Sequence, residues 1–355
     1  VGDPDIMDTW ATSSLTPQIA GHWVDDSEFF SKVFPMDIRP QGPEIIRTWL
    51  FSSIVRAHYE HGVLPWHTAT INGWILDPDR KKMSKSKGNV VTPMPLIEEY
   101  GSEAVRYWAC NGRPGVDTAV DYGVMKIGRR LAIKILNASR FALGFSDTDV
   151  DPGAISEPLD NSMLAGLAEV VGQATDAFDR FDYARALEVA EKSFWAWTDD
   201  YVELVKTRAY GEGLGDAASA HAALQLALSV YLRLFAPFLP HVTEEVWSWW
   251  RDGSVHRASW PVATEFPAVP GDPSILDMTS TVLSAIRRSK SDAKVSMRAE
   301  VESVTITGST RELERIRQAD SDLREAARAA EVVYSEGEFG VESVLADSSN
   351  STRRS

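Results

Sequence analysis

A chain of 355 residues, 44% hydrophobic and 25% charged, has the composition of a globular protein with room for two or three cores. Its formal net charge of -15 argues against a protein that coats nucleic acid without specificity, but leaves open a specific partner held by local basic patches. No apolar run nears the roughly 20 residues that cross a bilayer and no signal-peptide pattern opens the chain, so no membrane association is expected. The single cysteine, Cys110, excludes an internal disulfide and a Cys-rich zinc site and fits a reduced, cytoplasmic setting, where it reads as a small buried hydrophobe. The chain opens on Val1 as if in mid-domain, which reads as a piece of a longer protein.

In chain order, Pro35-Met36-Asp37-Ile38-Arg39 predicts a short strand ended by Pro40-Gln41-Gly42-Pro43. Ile45, Ile46, Trp49, Ser53 and Val55 then recur at roughly helical spacing, with Glu44 in the first turn. The β-branched, apolar run 68–76 predicts a buried strand, and Asp77-Pro78-Asp79 turns the chain into a basic loop. Strand, helix, strand and a loop at the strand's C-terminal end is the grammar of an open parallel α/β sheet. Short helices are predicted at 96–100 and 103–110, and a longer one from Asp121 through Val124, Ile127, Leu131, Ile135, Ala138 and Ala142. After a surface loop at 147–159, three helices follow: Met163 to Phe181, Leu187 to Leu204, and Leu224 to Phe235 before Pro237. Together they predict an antiparallel bundle, with Phe194, Trp197 and Tyr201 as core rather than a base-stacking platform. Beyond Gly271-Asp272-Pro273 the pattern reads helix (276–291), strand (301–307), helix (311–319) and a short strand (331–334), without the heptads of a coiled coil. Residues 341–355 read as a polar, disordered tail.

The chemistry concentrates in Lys82-Met83-Ser84-Lys85-Ser86-Lys87-Gly88-Asn89. Ammonium groups and hydroxyl donors on a flexible segment suit a polyanion such as a triphosphate, and a parallel strand ahead of it places it where α/β sheets bind nucleotides. It is not a phosphate loop of the Gly-x-x-x-x-Gly-Lys-[Ser/Thr] type. Composition alone favours an ordinary basic surface loop. Further basic groups, Arg129, Arg130, Lys134 and Arg140, then Arg287, Arg288, Lys290, Lys294 and Arg298, read evenly as solvated faces or phosphate contacts. His58-Tyr59-Glu60-His61-Gly62 reads as a helix end, and His22 lacks a second metal ligand at a useful spacing.

The order of residues at 82–89 resembles the signature loop of the class I aminoacyl-tRNA synthetases, in the form typical of the branch charging valine, isoleucine, leucine and methionine. The Asp-Thr-Trp segment Asp3-Pro4-Asp5-Ile6-Met7-Asp8-Thr9-Trp10-Ala11-Thr12-Ser13-Ser14-Leu15 and Gly42-Pro43-Glu44-Ile45-Ile46-Arg47-Thr48-Trp49 are similar to segments of the valine-charging members, and Leu234-Phe235-Ala236-Pro237-Phe238-Leu239-Pro240-His241 to the branch's anticodon-binding domain. The resemblance implies a partial Rossmann-like α/β nucleotide-binding catalytic domain at 1–103. An all-α anticodon-binding bundle at 104–262 and a small C-terminal α/β segment at 272–340 would follow. It implies ATP with substrate-bound Mg²⁺, valine and tRNA(Val) as partners, and a monomer. Lys82 and Lys85 would steady the ATP phosphates as the catalytic pair. Gly42, Glu44, Gly73, Met83, Ser84 and Ser86 would join them around the nucleotide, with Glu44 at the ribose and Gly73 at a close backbone approach. Trp10, Ile45 and Trp49 would form a narrow apolar slot for the amino acid, selecting by shape because valine offers no hydrogen bond. The family's other signature, His-Ile-Gly-His, does not occur in this sequence, so the chain alone is expected to be inactive.

Overall fold

The computed structural model describes residues 9–145, 151–267 and 271–346, which fall into two compact units. The first comprises 1–99 with 108–124, the second 100–107 with 125–355. Residues 3–8 of the Asp-Thr-Trp segment and most of the tail expected at 341–355 lie outside the described residues.

The first unit begins with short helices α1 (Trp10–Ser13), α2 (Thr16–Ala20) and α3 (Ser27–Val33). Strand β1 (Met36–Gln41) pairs in parallel with β2 (Trp66–Ile71), Met36 opposite Trp66 and Gln41 opposite Ile71. The expected stop at Pro40 is corrected: β1 runs through it, because a proline lacking its N–H is tolerated at a position that need not donate to a neighbour. Between the strands the chain winds through a 3-10 turn (Pro43–Ile45) and a π-helical turn (Ile46–Leu50) into α4 (Phe51–His61). Gly62 stops α4 in the left-handed region at φ 72°, its N–H returned to the His58 carbonyl, as the sequence anticipated.

The single buried strand expected at 68–76 is also corrected. It breaks after Ile71, and Ile75–Leu76 form β3 in a separate parallel pair with β4 (Thr118–Ala119). The cause is non-local: a Cβ on Gly73 would strike the backbone of Val116 and Asp117, and the Trp74 N–H donates to Asp117 Oδ1 at 2.8 Å. Two further helices, α5 (Pro93–Tyr100) and α6 (Ser102–Cys110), follow where predicted, and Cys110 is half-buried rather than buried.

In the second unit α7 (Tyr122–Ala142) buries Leu131, Ile135, Ala138 and Ala142, while Ile127 faces solvent. Helices α8 (Pro158–Asp179), α9 (Tyr183–Ala196) and α11 (Ala217–Phe235) pack on one another. A π-helical turn (Trp197–Tyr201) carries α9 into α10 (Val202–Ala209). Phe194, Trp197 and Tyr201 are buried, Phe194 meeting Tyr231 edge-on at 5.3 Å and Phe235 at 5.4 Å, so the aromatic stripe is core. After α12 (Pro240–Trp247) comes α13 (Ser274–Asp292), which packs against an edge strand of a three-stranded sheet. In that sheet β5 (Val301–Gly308) is central, with β6 (Ala329–Glu336) parallel on one side and β7 (Gly340–Leu345) antiparallel on the other. Helices α14 (Thr310–Arg317) and α15 (Asp320–Ala327) lie between β5 and β6 in the chain. The assignment of 341–345 to a disordered tail is thereby corrected: Val341, Val344 and Leu345 belong to a strand ordered by its ladder with β5.

A buried ionic network joins α8, α10 and α15. Arg208, 1% exposed, donates to both Asp160 oxygens at 2.9 and 2.8 Å, to both Asp322 oxygens at 2.9 and 3.0 Å, and to the Asp216 carbonyl at 3.0 Å. Asp160 also accepts from Tyr201 Oη at 2.8 Å and Ser219 Oγ at 2.6 Å. Burial works against the Arg208 charge, yet the two carboxylates outweigh it and raise its pKa. Burial pushes Asp322 up to about 6 despite its bonds to Arg208, because one cation serves two buried carboxylates.

Candidate nucleotide and amino-acid site

The first unit carries the loop at 82–89. Asp77 accepts the Arg80 N–H on its carbonyl at 2.9 Å and donates its own N–H to the Lys81 carbonyl at 2.9 Å, with Arg80 in the left-handed region at φ 62°. This turn brings Lys82 into a bridge opposite Leu76 of β3. The Lys82 ammonium lies 3.5 Å from the centroid of the Trp74 indole, a cation–π contact that holds the first lysine at the strand's edge. Lys85, Ser86 and Lys87 form a solvent-exposed 3-10 turn closed by Gly88 in the left-handed region, φ 67°. Ser84 Oγ and Ser86 Oγ lie 3.3 Å apart, and Met83 folds inward, its sulfur accepting the Val91 N–H at 3.2 Å. The loop thus presents the Lys85 and Lys87 ammonium groups and the Ser86 hydroxyl to solvent, while the Lys87 and Gly88 N–H groups bond back to the Ser84 and Lys85 carbonyls.

The corner after β1 holds the other expected residues. Glu44 is exposed, and its carboxylate folds back over Gly42 so closely that a side chain at 42 would displace it. Ile45 is half-buried. Trp49, 4% exposed, is fully engaged: its Nε1–H donates to the Ser13 carbonyl at 2.6 Å, Trp66 stacks on it at 5.6 Å and the Arg39 guanidinium lies 3.9 Å from its centroid. Arg56 Nη1 donates to the Ala11 carbonyl at 2.7 Å. The structure therefore ties α1, which begins at Trp10, to the helix carrying Trp49. It leaves Trp10 37% exposed and gives Trp49 the surroundings of a packed core residue.

Gly73 makes a close approach to the chain's own backbone, where a Cβ would strike Val116 and Asp117. Gly73→Ala should cost about 1–3 kcal/mol of stability, as overpacking against immobile backbone does. Urea unfolding measures this, and a variant as stable as the parent would contradict the contact. Arg39, Trp66, Trp74, Asp77 and Asn89 complete this neighbourhood and were not singled out from the sequence for any contact. Burial lowers the Arg39 pKa. Among the described residues no group of three or more His, Cys, Asp or Glu is placed to hold a metal ion.

In the second unit the corner at 234–247 is locked by side-chain hydrogen bonds. Arg106 donates to the Phe238 and Pro237 carbonyls at 3.1 and 2.9 Å, Glu103 accepts the His241 and Val242 N–H groups at 2.8 and 2.7 Å, and Glu244 accepts from Ser254 Oγ and the Val255 N–H. Of the basic groups, Lys134 pairs with Asp199 at 2.8 Å. Lys290 leaves its patch altogether: 2% exposed, it donates to the Ala327 carbonyl at 2.8 Å and the Met297 carbonyl at 3.1 Å, and burial lowers its pKa.

A parallel α/β unit with a lysine loop past a strand end, followed by a helical bundle, is the arrangement of the tRNA-charging enzymes of class I. Family models agree: residues 1–121 match tRNA synthetases class I (I, L, M and V), and residues 160–306 match the anticodon-binding domain of tRNA ligase. The two matches lie on successive parts of the chain, and both are to modules of tRNA-charging enzymes. Among curated relatives, the valine--tRNA ligase of Thermobifida fusca (strain YX) is 63% identical over 338 residues, 94% of this chain and 38% of the relative. That of Salinispora tropica is 56% identical over 358 residues, 95% of this chain and 42% of the relative. The chain thus spans about two fifths of the length of these relatives. The LeuRS of a LeuRS–tRNA–LeuAMS ternary complex from Agrobacterium radiobacter K84 shares the fold, with a TM-score of 0.59 at 23% identity over 74% of this chain and 34% of that one.

Proposed function

We propose that this chain is part of a valine--tRNA ligase, supplying the lysine-loop side of the ATP site and the bundle that receives tRNA(Val). In the reaction a carboxylate oxygen of valine attacks the α-phosphorus of ATP, the bond to the bridging oxygen of the β-phosphate breaks, and pyrophosphate leaves with that electron pair. The resulting valyl-adenylate then passes its acyl group to the terminal ribose of the tRNA. No protein nucleophile is required: the protein positions the reactants and sets positive charge where the pyrophosphate departs. Lys85, exposed at the head of its 3-10 turn, is suited to that task. Lys82 is close by on Trp74, and Mg²⁺ enters with ATP as part of the substrate. Glu44 would reach the ribose, and Trp10 with Ile45 would face the valine side chain, with Trp49 as the packed floor behind them. A site that selects by shape admits threonine as an isostere. The observation that carries this reading is the loop 82–89 at the edge of β3 in a chain 63% identical to a valine--tRNA ligase.

ATP–pyrophosphate exchange by the full-length protein tests it. Exchange is expected with valine, weakly with threonine, and far less with isoleucine. Strong exchange with isoleucine and none with valine would sink the specificity. This chain alone, carrying one side of the ATP site, is expected to support no exchange. The functional setting that follows is the cytoplasm, where translation takes place.

A further inference from the structure

Asn89 closes the lysine loop on itself. Its side-chain carbonyl accepts the Ser84 N–H at 3.0 Å, and its amide donates to Asp77 Oδ2 at 2.8 Å and to the Lys82 carbonyl at 3.3 Å. The other Asp77 oxygen accepts the Lys81 N–H at 2.7 Å. These partners fix the amide's orientation, since a flipped group would set NH₂ against the Ser84 N–H and a carbonyl against two acceptors. Asp77 is 6% exposed at the end of β3, and its carboxyl is held below the usual carboxylate range by the Asn89 amide first and the Lys81 N–H second. The two side chains therefore join the strand end, the Lys82 backbone and the residue ahead of the Lys85 turn. None of these bonds uses the ammonium group of Lys82, Lys85 or Lys87.

Resting on the ATP chemistry above, we propose that Asp77 and Asn89 are positioning residues: they hold the 82–89 loop as a closed ring that presents Lys85 to the leaving pyrophosphate. Neither touches substrate. Both act through the backbone they fix, where a displacement of about 1 Å is enough to cost up to about 100-fold in rate.

The test is an exchange of the pair in the full-length protein. In Asn89→Asp a carboxylate faces the Asp77 carboxylate, and in Asp77→Asn an amide donor faces the Asn89 donor. Each single variant should lower kcat for valine-dependent ATP–pyrophosphate exchange by about 10- to 100-fold, with the KM for valine unchanged. In the double variant the amide introduced at position 77 donates to the carboxylate introduced at position 89. The carbonyl of that amide still accepts the Lys81 N–H, and the relocated carboxylate still accepts the Ser84 N–H, so most of the rate should return. Single variants at the parental rate, or a double variant as slow as the two losses combined, would overturn the proposal. Amide hydrogen exchange gives a readout independent of catalysis: the Ser84 N–H should be protected in the parent and the double variant and unprotected in Asn89→Ala. An unprotected Ser84 in the parent overturns the ring itself. A protected Ser84 in a parent without valine-dependent exchange would instead overturn the functional reading on which the proposal rests.

Discussion

Replacing Arg208 by methionine is expected to lower the stability of the bundle by about 3–5 kcal/mol near neutral pH, the cost of leaving buried charge unpaired. All five guanidinium N–H groups are used, four on two carboxylates and one on the Asp216 carbonyl. A thioether of similar volume fills the space but leaves Asp160 and Asp322 facing each other out of water. Lysine is no substitute, since one ammonium cannot reproduce the planar fork. The loss should also depend on pH in a defined direction. Asp322 titrates near 6 in the folded protein, above the ordinary aspartate value of about 3.9, so the folded state holds the extra proton. Its contribution is therefore most favourable below pH 4 and declines as pH rises through about 6. Removing Arg208 withdraws the group that opposes this rise and moves the folded pKa higher still. The variant's deficit should therefore be smaller at pH 5, where a proton can replace the lost cation, than at pH 8. Urea unfolding at the two pH values checks this. A deficit below 1 kcal/mol at pH 8, or one larger at pH 5, would show that the network carries little of the fold.

Lys85→Ala in the full-length protein is expected to lower kcat for valine-dependent ATP–pyrophosphate exchange by about 10²–10³-fold, as losing one charge-stabilising donor does elsewhere. The KM for valine should stay near its starting value if Lys85 acts, as proposed, on charge that develops as the pyrophosphate departs and not on the bound amino acid. An unchanged kcat with a raised KM would assign the residue to ground-state binding instead. Lys82 offers a contrast, since its ammonium rests on Trp74 and has a structural contact to lose as well.

How much of this was legible in the sequence follows from the range of the interactions involved. The loop at 82–89 and the stop of α4 at Gly62 are local, written in consecutive residues, and could be read directly. The helices of the bundle showed in the spacing of their apolar residues, and the aromatic stripe proved to be core. The break at Gly73 was signalled only by the turn-favouring pair Asn72-Gly73 inside an otherwise strand-like run, and the backbone it packs on, at residues 116 and 117, is far away in the sequence. The Arg208 network could not be read, because its partners sit 48 and 114 positions away and resemble surface residues of their helices. Strand β7 carries Val341, Val344 and Leu345, but the ladder with β5 that orders it is not local. In the candidate site, Trp10, Ile45 and Trp49 drew attention as apolar anchors. The partners that occupy Trp49, Arg39 and Trp66, carried no local signal.

The hydrogen-bonded ring at 82–89 bears on the entropy of catalysis. A free loop of this length would lose about 1–2 kcal/mol of conformational freedom per residue on settling around a triphosphate. Here the backbone at Lys81, Lys82 and Ser84 is already fixed through Asp77 and Asn89, leaving the lysine side chains as the main freedom to surrender. On the proposed ATP chemistry, ordering on ATP arrival would fall more on flexible side-chain stems than on the chain, leaving more of the attraction between ammonium and phosphate to act on the reaction itself.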